Sequence, residues 1–453
     1  FGATRRPNVK AADDALLRAL QDSGAPVVTL VAKSHDRHVD LALKTHLDEN
    51  LAMIKDSIEF LRKGGQRVFL DAEHFFDGYR SNPAYALEVV RTAAEAGADV
   101  IALCDTNGGM LPDELSSVVH EVLHKSSARL GIHCHNDTGC AIANSLAAVA
   151  AGATHVQGTL NGYGERTGNA DLVSIIANLQ LKKKQQVLPQ GALEEAFRIS
   201  HAVAEVTNVA PSARQPYVGV SAFAHKAGLH ASAIKVDPAL YQHEDPESVG
   251  NDMRMLVSDM AGRASIELKS QELGIDLSQE KEVVSRVVER VKAMESRGYT
   301  FEAADASFEL LLREELDGKR PSFFNLQSWE TTVDQNSQRD VTSRASVVIT
   351  AKGEEISAEG AGNGPVNAID NALRNGLEKI YPELKDLELT DYKVRILEGR
   401  LGTGAVTRVL VETSDGNGEW STIGVHENVI AASAMALEDA LTYGLLRRGK
   451  KPE

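Results

Sequence analysis

The sequence predicts an α/β protein: a barrel of parallel strands lacking its first strands, then a helical subdomain, then an α/β C-terminal domain. Two observations carry the barrel. From about residue 24 to residue 185 one unit repeats, a short β-branched run, a polar junction and a helical pattern, which is how parallel βα units read. The chemically suggestive side chains all fall where those runs end, and a TIM (β/α)8 barrel places its active site at the C-terminal ends of its strands. A doubly wound open sheet is the alternative. A third observation, a change of pattern after the polar connection at 331–344, sets off the last domain.

Strands are expected at 26–32, 67–73, 99–106, 130–135 and 155–161. Helical spacing fills the intervals. Asn82 suits an N-cap with Pro83 in the first turn, Ala86, Leu87, Val90, Ala93 and Ala94 form the apolar stripe, and Gly97 suits the stop. The next helix begins at Pro112 and buries Leu115, Val118, Val119, Val122 and Leu123. Strand alternation then fades, and the segments expected are a barrel part over 1–190, a helical linker over 191–325, with a helix at 192–208, and a C-terminal domain over 326–453. That last domain repeats itself. Counted from Gly360 and from Gly424, 64 residues apart, Val366 matches Ile430, Ala368 matches Ala432, Ala372 matches Ala436 and Leu373 matches Leu437, which predicts two strand-strand-helix halves. Duplicated halves invite a symmetric interface or an effector site.

Composition narrows the partners. A net charge of -16 repels phosphate backbones and anionic lipids, so neither nucleic acid nor a membrane surface is expected. The 43% hydrophobic content with 13 prolines fits globular packing, and no apolar run is expected to reach membrane-spanning length. Cys104, Cys134 and Cys140 form no zinc-type pair and suit a reducing, cytoplasmic compartment.

The strongest local signal is Gly-Ile-His-Cys-His-Asn-Asp at 131–137. Side chains two apart on a strand share a face, so His133 and His135 point together at the barrel mouth while Cys134 turns away. Two imidazoles on one face are ready metal ligands, with Asn136 and Asp137 alongside to orient the rings; a structural pair is the blander possibility. The glycine-rich junction 161–169 can bring backbone amides to a small anion, and Asn169 at its end is either a helix N-cap or an oxygen ligand to the same metal. Asp71 and Glu73 share a strand face and aim carboxylates inward. Asp105 and Thr106 sit at the next strand end, where capping a turn and contacting substrate are both open. A further cluster, at 223–232, contains His225 and His230.

Taken together and in this order, these segments resemble the family of Claisen-type condensing enzymes that contains 2-isopropylmalate synthase, homocitrate synthase and citramalate synthase. The likeness rests on HCHNDTGCAIANS at 133–145, NGYGERTGN at 161–169 and AFAHKAGLHASA at 222–233. The segments DAEHFFDGYRSNPAYAL at 71–87, LCDTNGG at 103–109 and LYQHEDPESVGN at 240–251 are most similar to the citramalate-forming members.

The resemblance implies condensation of acetyl-CoA with pyruvate to (R)-citramalate and CoA, on a route to isoleucine. It implies a divalent metal (Mn, Mg or Zn) at His133, His135 and Asn169, and Glu73 as the active-site glutamate. It gives Thr106, with Asp105 beside it, to the substrate carboxylate. His230 and Tyr241 match acid/base groups that reach the site from a neighbouring subunit of a homodimer or larger homo-oligomer, and the duplicated domain matches a regulatory domain that binds an end-product amino acid, here isoleucine. The same chemistry on another 2-oxo acid, or a non-catalytic amino-acid-binding protein, are the rival expectations. The family opens with an Asp-Thr-Thr-Leu-Arg-Asp-Gly strand that supplies an arginine and an acidic metal ligand, and this sequence contains none. Residues 1–6 read as the end of a third barrel strand, so the expectation is an open barrel, an incomplete metal shell, and a polypeptide unstable or inactive by itself.

Overall fold

The computed structural model describes residues 1–226, 228–257, 262–397 and 404–452. They form two compact units, Phe1–Ala222 with Glu244–Asp252, and Phe223–His243 with Met253–Glu453.

In the first unit six strands pair in strict chain order and all in parallel: β1 (Gly2–Ala3), β2 (Val27–Lys33), β3 (Arg67–Glu73), β4 (Val100–Asp105), β5 (Leu130–Cys134) and β6 (His155–Gln157). A sequential order with no reversal is that of a barrel wall, whereas a doubly wound sheet reverses at its switch point. Among the described residues β1 pairs only with β2 and β6 only with β5, so this wall is open. Helices cross between the strands as the apolar spacing predicts. Asn82 caps Pro83–Glu95 by accepting from the Tyr85 amide at 3.2 Å, and Pro112–Lys125 buries Leu115, Val118, Val119 and Val122.

Alternation along β2 shows how the wall is built. Val28, Leu30 and Ala32 are buried against the helices, while Val27, Thr29, Val31 and Lys33 lie half-buried on the other face. That second face is the one on which the candidate site residues lie. The expected strand at 155–161 stops at Gln157, because Leu160–Gly162 is a single tight turn with Asn161 in the left-handed region at φ 63°. The turn folds the chain back so that Thr159 donates to the Ala170 carbonyl at 3.1 Å and receives the Leu172 amide at 3.0 Å.

In the second unit, β7 (Ala224–His225) and β8 (Arg254–Met255) make a short parallel pair. Three helices follow, Arg263–Glu272, Lys281–Glu295 and Asp305–Asp317, packed through Val284, Val287, Val291, Phe301 and Phe308. The C-terminal repeat is real, with one correction: each half has three strands, not two. The first half is β9 (Asn325–Gln335), β10 (Val341–Ala351) and β11 (Glu354–Gly362) with Pro365–Leu377. The second is β12 (Glu388–Ile396), β13 (Thr407–Ser414) and β14 (Glu419–His426) with Val429–Arg447. β9 and β12, the strands added in each half, are mostly exposed.

Val429–Arg447 also corrects the expectation that no apolar run reaches spanning length. By length and composition this helix is sufficient to cross a membrane. Its apolarity is used in the fold, since Ala432, Ala436, Leu437, Ala440, Leu441 and Leu445 are buried in the core of the repeat.

Candidate active site

The half-buried face of the wall collects side chains from four strand ends. His133 and His135 converge, with ring centroids 5.3 Å apart, while Cys134 between them is fully buried in the core behind. A strand alternates its side chains, and that alone places both imidazoles on the open side. Asn169 joins them through a single antiparallel bridge to His135.

The glycine-rich junction is what makes this approach possible. Gly164 packs so closely on Asn169 that a Cβ there would stand 2.0 Å from its Nδ2, and Gly168, at φ 93°, would place one 2.1 Å from the Gly162 carbonyl. The amides of Gly162, Gly168 and Asn169 donate to Thr159, Glu165 and Gly162 carbonyls, so they face inward and not toward an anion. The loop positions Asn169. Nor is Asn169 the N-cap of the following helix: Asp171 takes that role, accepting from Val173 and Ser174.

The orientation of the rings differs from the sequence expectation. Asp137 forms a two-pronged pair with Arg166 at 2.8 and 3.0 Å, and Asn136 Oδ1 accepts from the Ala141 amide, so neither holds a histidine. Gln157 on β6 does so instead. Its Nε2 donates to Asp71 Oδ1 at 2.7 Å, which leaves Oε1 to accept from His133 Nδ1 at 2.9 Å. His133 is thereby fixed with Nδ1 protonated and the Nε2 lone pair free. Asp71 is buried, which pushes its pKa up. Neither Gln157 nor its link to Asp71 was visible in the sequence, because a glutamine at a strand end has no pattern of its own.

Two polar atoms here are buried without a hydrogen-bond partner among the described residues, His135 Nδ1 and Asn169 Oδ1. Orphans of this kind are costly unless something outside the chain completes them. Burial first, then the neighbouring His133 and Arg166, lower the His135 pKa and disfavour its charged form. Two imidazoles and an amide oxygen form a donor set that fits a divalent cation. Among the described residues no three His, Cys, Asp or Glu side chains gather into a fuller set.

Glu73 ends β3 and forms an ion pair with Lys33, its in-register neighbour on β2. Thr106 Oγ1 accepts from the His74 amide at 2.8 Å, and His74 itself sits at φ 57°. Asp105 is 2% exposed, and its two oxygens accept from Gly109 and Met110 amides, both at 3.1 Å. Its carboxylate thus caps the turn that follows β4, one of the two possibilities open for it. Burial raises its pKa.

His230 and Tyr241 belong to the second unit, where their rings stack at 4.1 Å between centroids. Ala227, within the same motif, lies outside the described residues. Around them Leu229, Val236 and Leu240 are 74%, 82% and 60% exposed.

A parallel barrel wall with paired imidazoles and a carboxylate at its strand ends, followed by a duplicated α/β domain, defines an enzyme of the HMGL-like class. The family model described as HMGL-like matches residues 5–203, the Homocitrate synthase post-HMGL domain-like model matches 217–299, and the LeuA allosteric (dimerisation) domain matches 302–445. A Streptomyces coelicolor protein named (R)-citramalate synthase is 66% identical over 452 residues, covering 100% of this chain and 85% of the relative. One of the same name from Aquifex aeolicus is 46% identical, covering 99% and 85%. A probable 2-isopropylmalate synthase from Methanopyrus kandleri is 32% identical, covering 92% and 80%. The chain belongs to the (R)-citramalate synthase family.

Proposed function

We infer that this enzyme condenses acetyl-CoA with pyruvate, giving (R)-citramalate and CoA in the cytoplasm on a route to isoleucine. The observation that carries the reading is the pair of orphaned atoms, His135 Nδ1 and Asn169 Oδ1, beside a His133 whose tautomer is fixed by Gln157. The identities of 66% and 46% to the Streptomyces and Aquifex relatives named (R)-citramalate synthase, against 32% to one named for 2-isopropylmalate, support pyruvate as the keto acid.

His133, His135 and Asn169 would hold a divalent cation (Mn, Mg or Zn), which when bound would supply Lewis-acid polarisation of the keto group. The chain does the rest. Thr106 keeps its hydroxyl proton available, since its oxygen accepts from His74, and donates it to the pyruvate carboxylate. Glu73 takes a methyl proton from acetyl-CoA, a role that needs a positioned base. His230 and Tyr241, held together by stacking, are assigned to proton transfer at the keto oxygen and at the hydrolysis of the citramalyl thioester.

The exposed Leu229, Val236 and Leu240 around that pair support a segment that docks on a second copy of the chain, in a homodimer or larger assembly. In this scheme residues 1–190 hold the keto acid, 191–325 deliver the acid/base pair, and 326–453 bind isoleucine and join subunits.

The test is CoA release from acetyl-CoA with pyruvate, 2-oxobutanoate, 2-oxoisovalerate and 2-oxoglutarate, with the product's configuration determined. Pyruvate is expected to lead in kcat/KM by about 10-fold or more over 2-oxoisovalerate, given what each methylene is worth in a pocket. A lead for 2-oxoisovalerate would move the enzyme to the 2-isopropylmalate reaction.

A further inference from the structure

The carboxylate assigned to proton abstraction does not stand alone. Lys33 and Glu73 are directly opposite in the β2–β3 register, form an ion pair through Glu73 Oε2, and are each about a quarter exposed, at 25% and 26%. The backbone on both sides of the pair is fixed. Asn50, fully buried and in contact with the Tyr85 hydroxyl at 2.8 Å, donates to the Lys33 carbonyl at 2.8 Å. Ser34, also fully buried, donates to the Glu73 carbonyl with its hydroxyl at 2.6 Å and its amide at 3.2 Å.

A partly exposed ion pair contributes little to stability, so so much scaffolding around one is out of proportion to a structural role. Burial is the main cause lowering the pKa of the neighbouring His38 and His74, which disfavours their charged forms. Lys33 is the ion-pair partner of Glu73.

We propose that Lys33 is the positioning residue for Glu73, holding Oε2 so that Oε1 alone faces the substrate; this rests on the reading that Glu73 takes the methyl proton. Among the described residues Glu73 Oε1 has no partner. In the step, the methyl C–H bond breaks, the proton goes to Oε1, and the electron pair moves onto the thioester oxygen as an enolate. The Lys33–Glu73 pair is neutral before the transfer and carries one positive charge after it, just as the enolate gains its negative charge. Charge created in the transition state thus meets a counter-charge already in place.

The experiment compares Lys33→Met and Lys33→Arg in the intact enzyme. Lys33→Met should lower kcat on the order of 100-fold, the scale for removing one preorganised electrostatic group. KM for pyruvate should stay within about threefold, and Lys33→Arg should recover most of the loss. Deuterium wash-in to the acetyl-CoA methyl, followed by mass spectrometry, should fall in parallel. A Lys33→Met enzyme with near wild-type kcat and wash-in, or one that loses only pyruvate affinity, overturns the proposal.

A readout independent of turnover separates this from the substrate assignment. In a double-mutant cycle read by deuterium wash-in to the acetyl-CoA methyl, without any 2-oxo acid present, the loss caused by Lys33→Met should disappear in a Glu73→Gln background. No coupling sinks the pair whatever the substrate; coupling with no CoA release from any 2-oxo acid instead sinks the condensation reading.

Discussion

His133 on β5 and Gln157 on β6 meet at 2.9 Å, Nδ1 to Oε1, and the amide of Gln157 continues to Asp71 on β3 at 2.7 Å. Three strands thus share one chain of hydrogen bonds behind a single imidazole. Replacing Gln157 by Leu would free the His133 tautomer and leave the buried Asp71 without a partner. The expected outcome is a 10- to 100-fold loss in divalent metal affinity, the usual order for an outer partner of a histidine ligand. Destabilisation of about 1–3 kcal/mol should accompany it. Calorimetric metal titration and thermal unfolding measure the two separately, and unchanged metal affinity would remove Gln157 from the site.

Thr106 links substrate and backbone. Its Oγ1 accepts the amide of His74, a residue in the left-handed region immediately after Glu73. Thr106→Val keeps the shape and removes both the acceptor and the hydroxyl proton. Loss of one such hydrogen bond, about 1–3 kcal/mol, corresponds to a fall in kcat/KM for pyruvate of roughly 5- to 150-fold. Thr106→Ser should stay within about fivefold, since the hydroxyl remains. Equal behaviour of the two variants would deny the hydroxyl any part.

These contrasts show where sequence reading works. The barrel strands, the convergence of His133 and His135, and the equivalence of Gly360 with Gly424 follow from periodicity, because a strand's alternation and a helix's stripe are written in consecutive residues. The long-range partners are not. Gln157 reaches Asp71 across 86 positions, Lys33 reaches Glu73 across 40, and Arg166 draws Asp137 away from the rings it was expected to orient. Each depends on strands becoming neighbours, which no local pattern records. The mostly exposed strands β9 and β12 were missed for another reason: residues 331–335 of β9 are mostly polar, and the alternation of Tyr392, Val394 and Ile396 on β12 leads to no buried face.

The repeat supplies a stability test. A Cβ on Gly360 would stand 2.4 Å from the Ala372 amide and 2.5 Å from the Ala368 carbonyl; on Gly424 it would stand 1.9 Å from the Ala432 carbonyl and 3.0 Å from the Ala436 amide. The same helix positions press on the same glycine in both halves. Gly424→Ala and Gly360→Ala should each destabilise by about 1–3 kcal/mol, the cost of forcing backbone apart in a packed core. Gly424→Ala should be the worse, having the closer contact. Chemical denaturation with a probe on Trp420, in the second half, measures it, and a neutral Gly424→Ala would show that helix and strand can part freely.

Glu438 carries the pH prediction. It lines a cavity of about 460 Å³ together with Arg320, Asp439 and Ser307. Arg320 is engaged with Asp439 at 2.7 Å, and Ser307 donates to the same carboxylate at 2.7 Å, so Glu438 shares Arg320's charge with Asp439 instead of pairing with it directly. Burial first, and the Asp439 charge second, push its pKa up to about 7 from the ordinary 4.5. A raised folded pKa means that the native state holds the proton more tightly than the unfolded chain. Its contribution is therefore fully present below about pH 4.5, declines as pH rises, and is lost above about pH 7. Glu438→Gln, neutral throughout, should be more stable than wild type at about pH 8 and close to it near pH 5. Melting midpoints of the two proteins measured across that range should separate as pH rises and run parallel beyond about pH 7; curves parallel throughout would mean that Glu438 ionises as freely in the folded protein as in the unfolded chain.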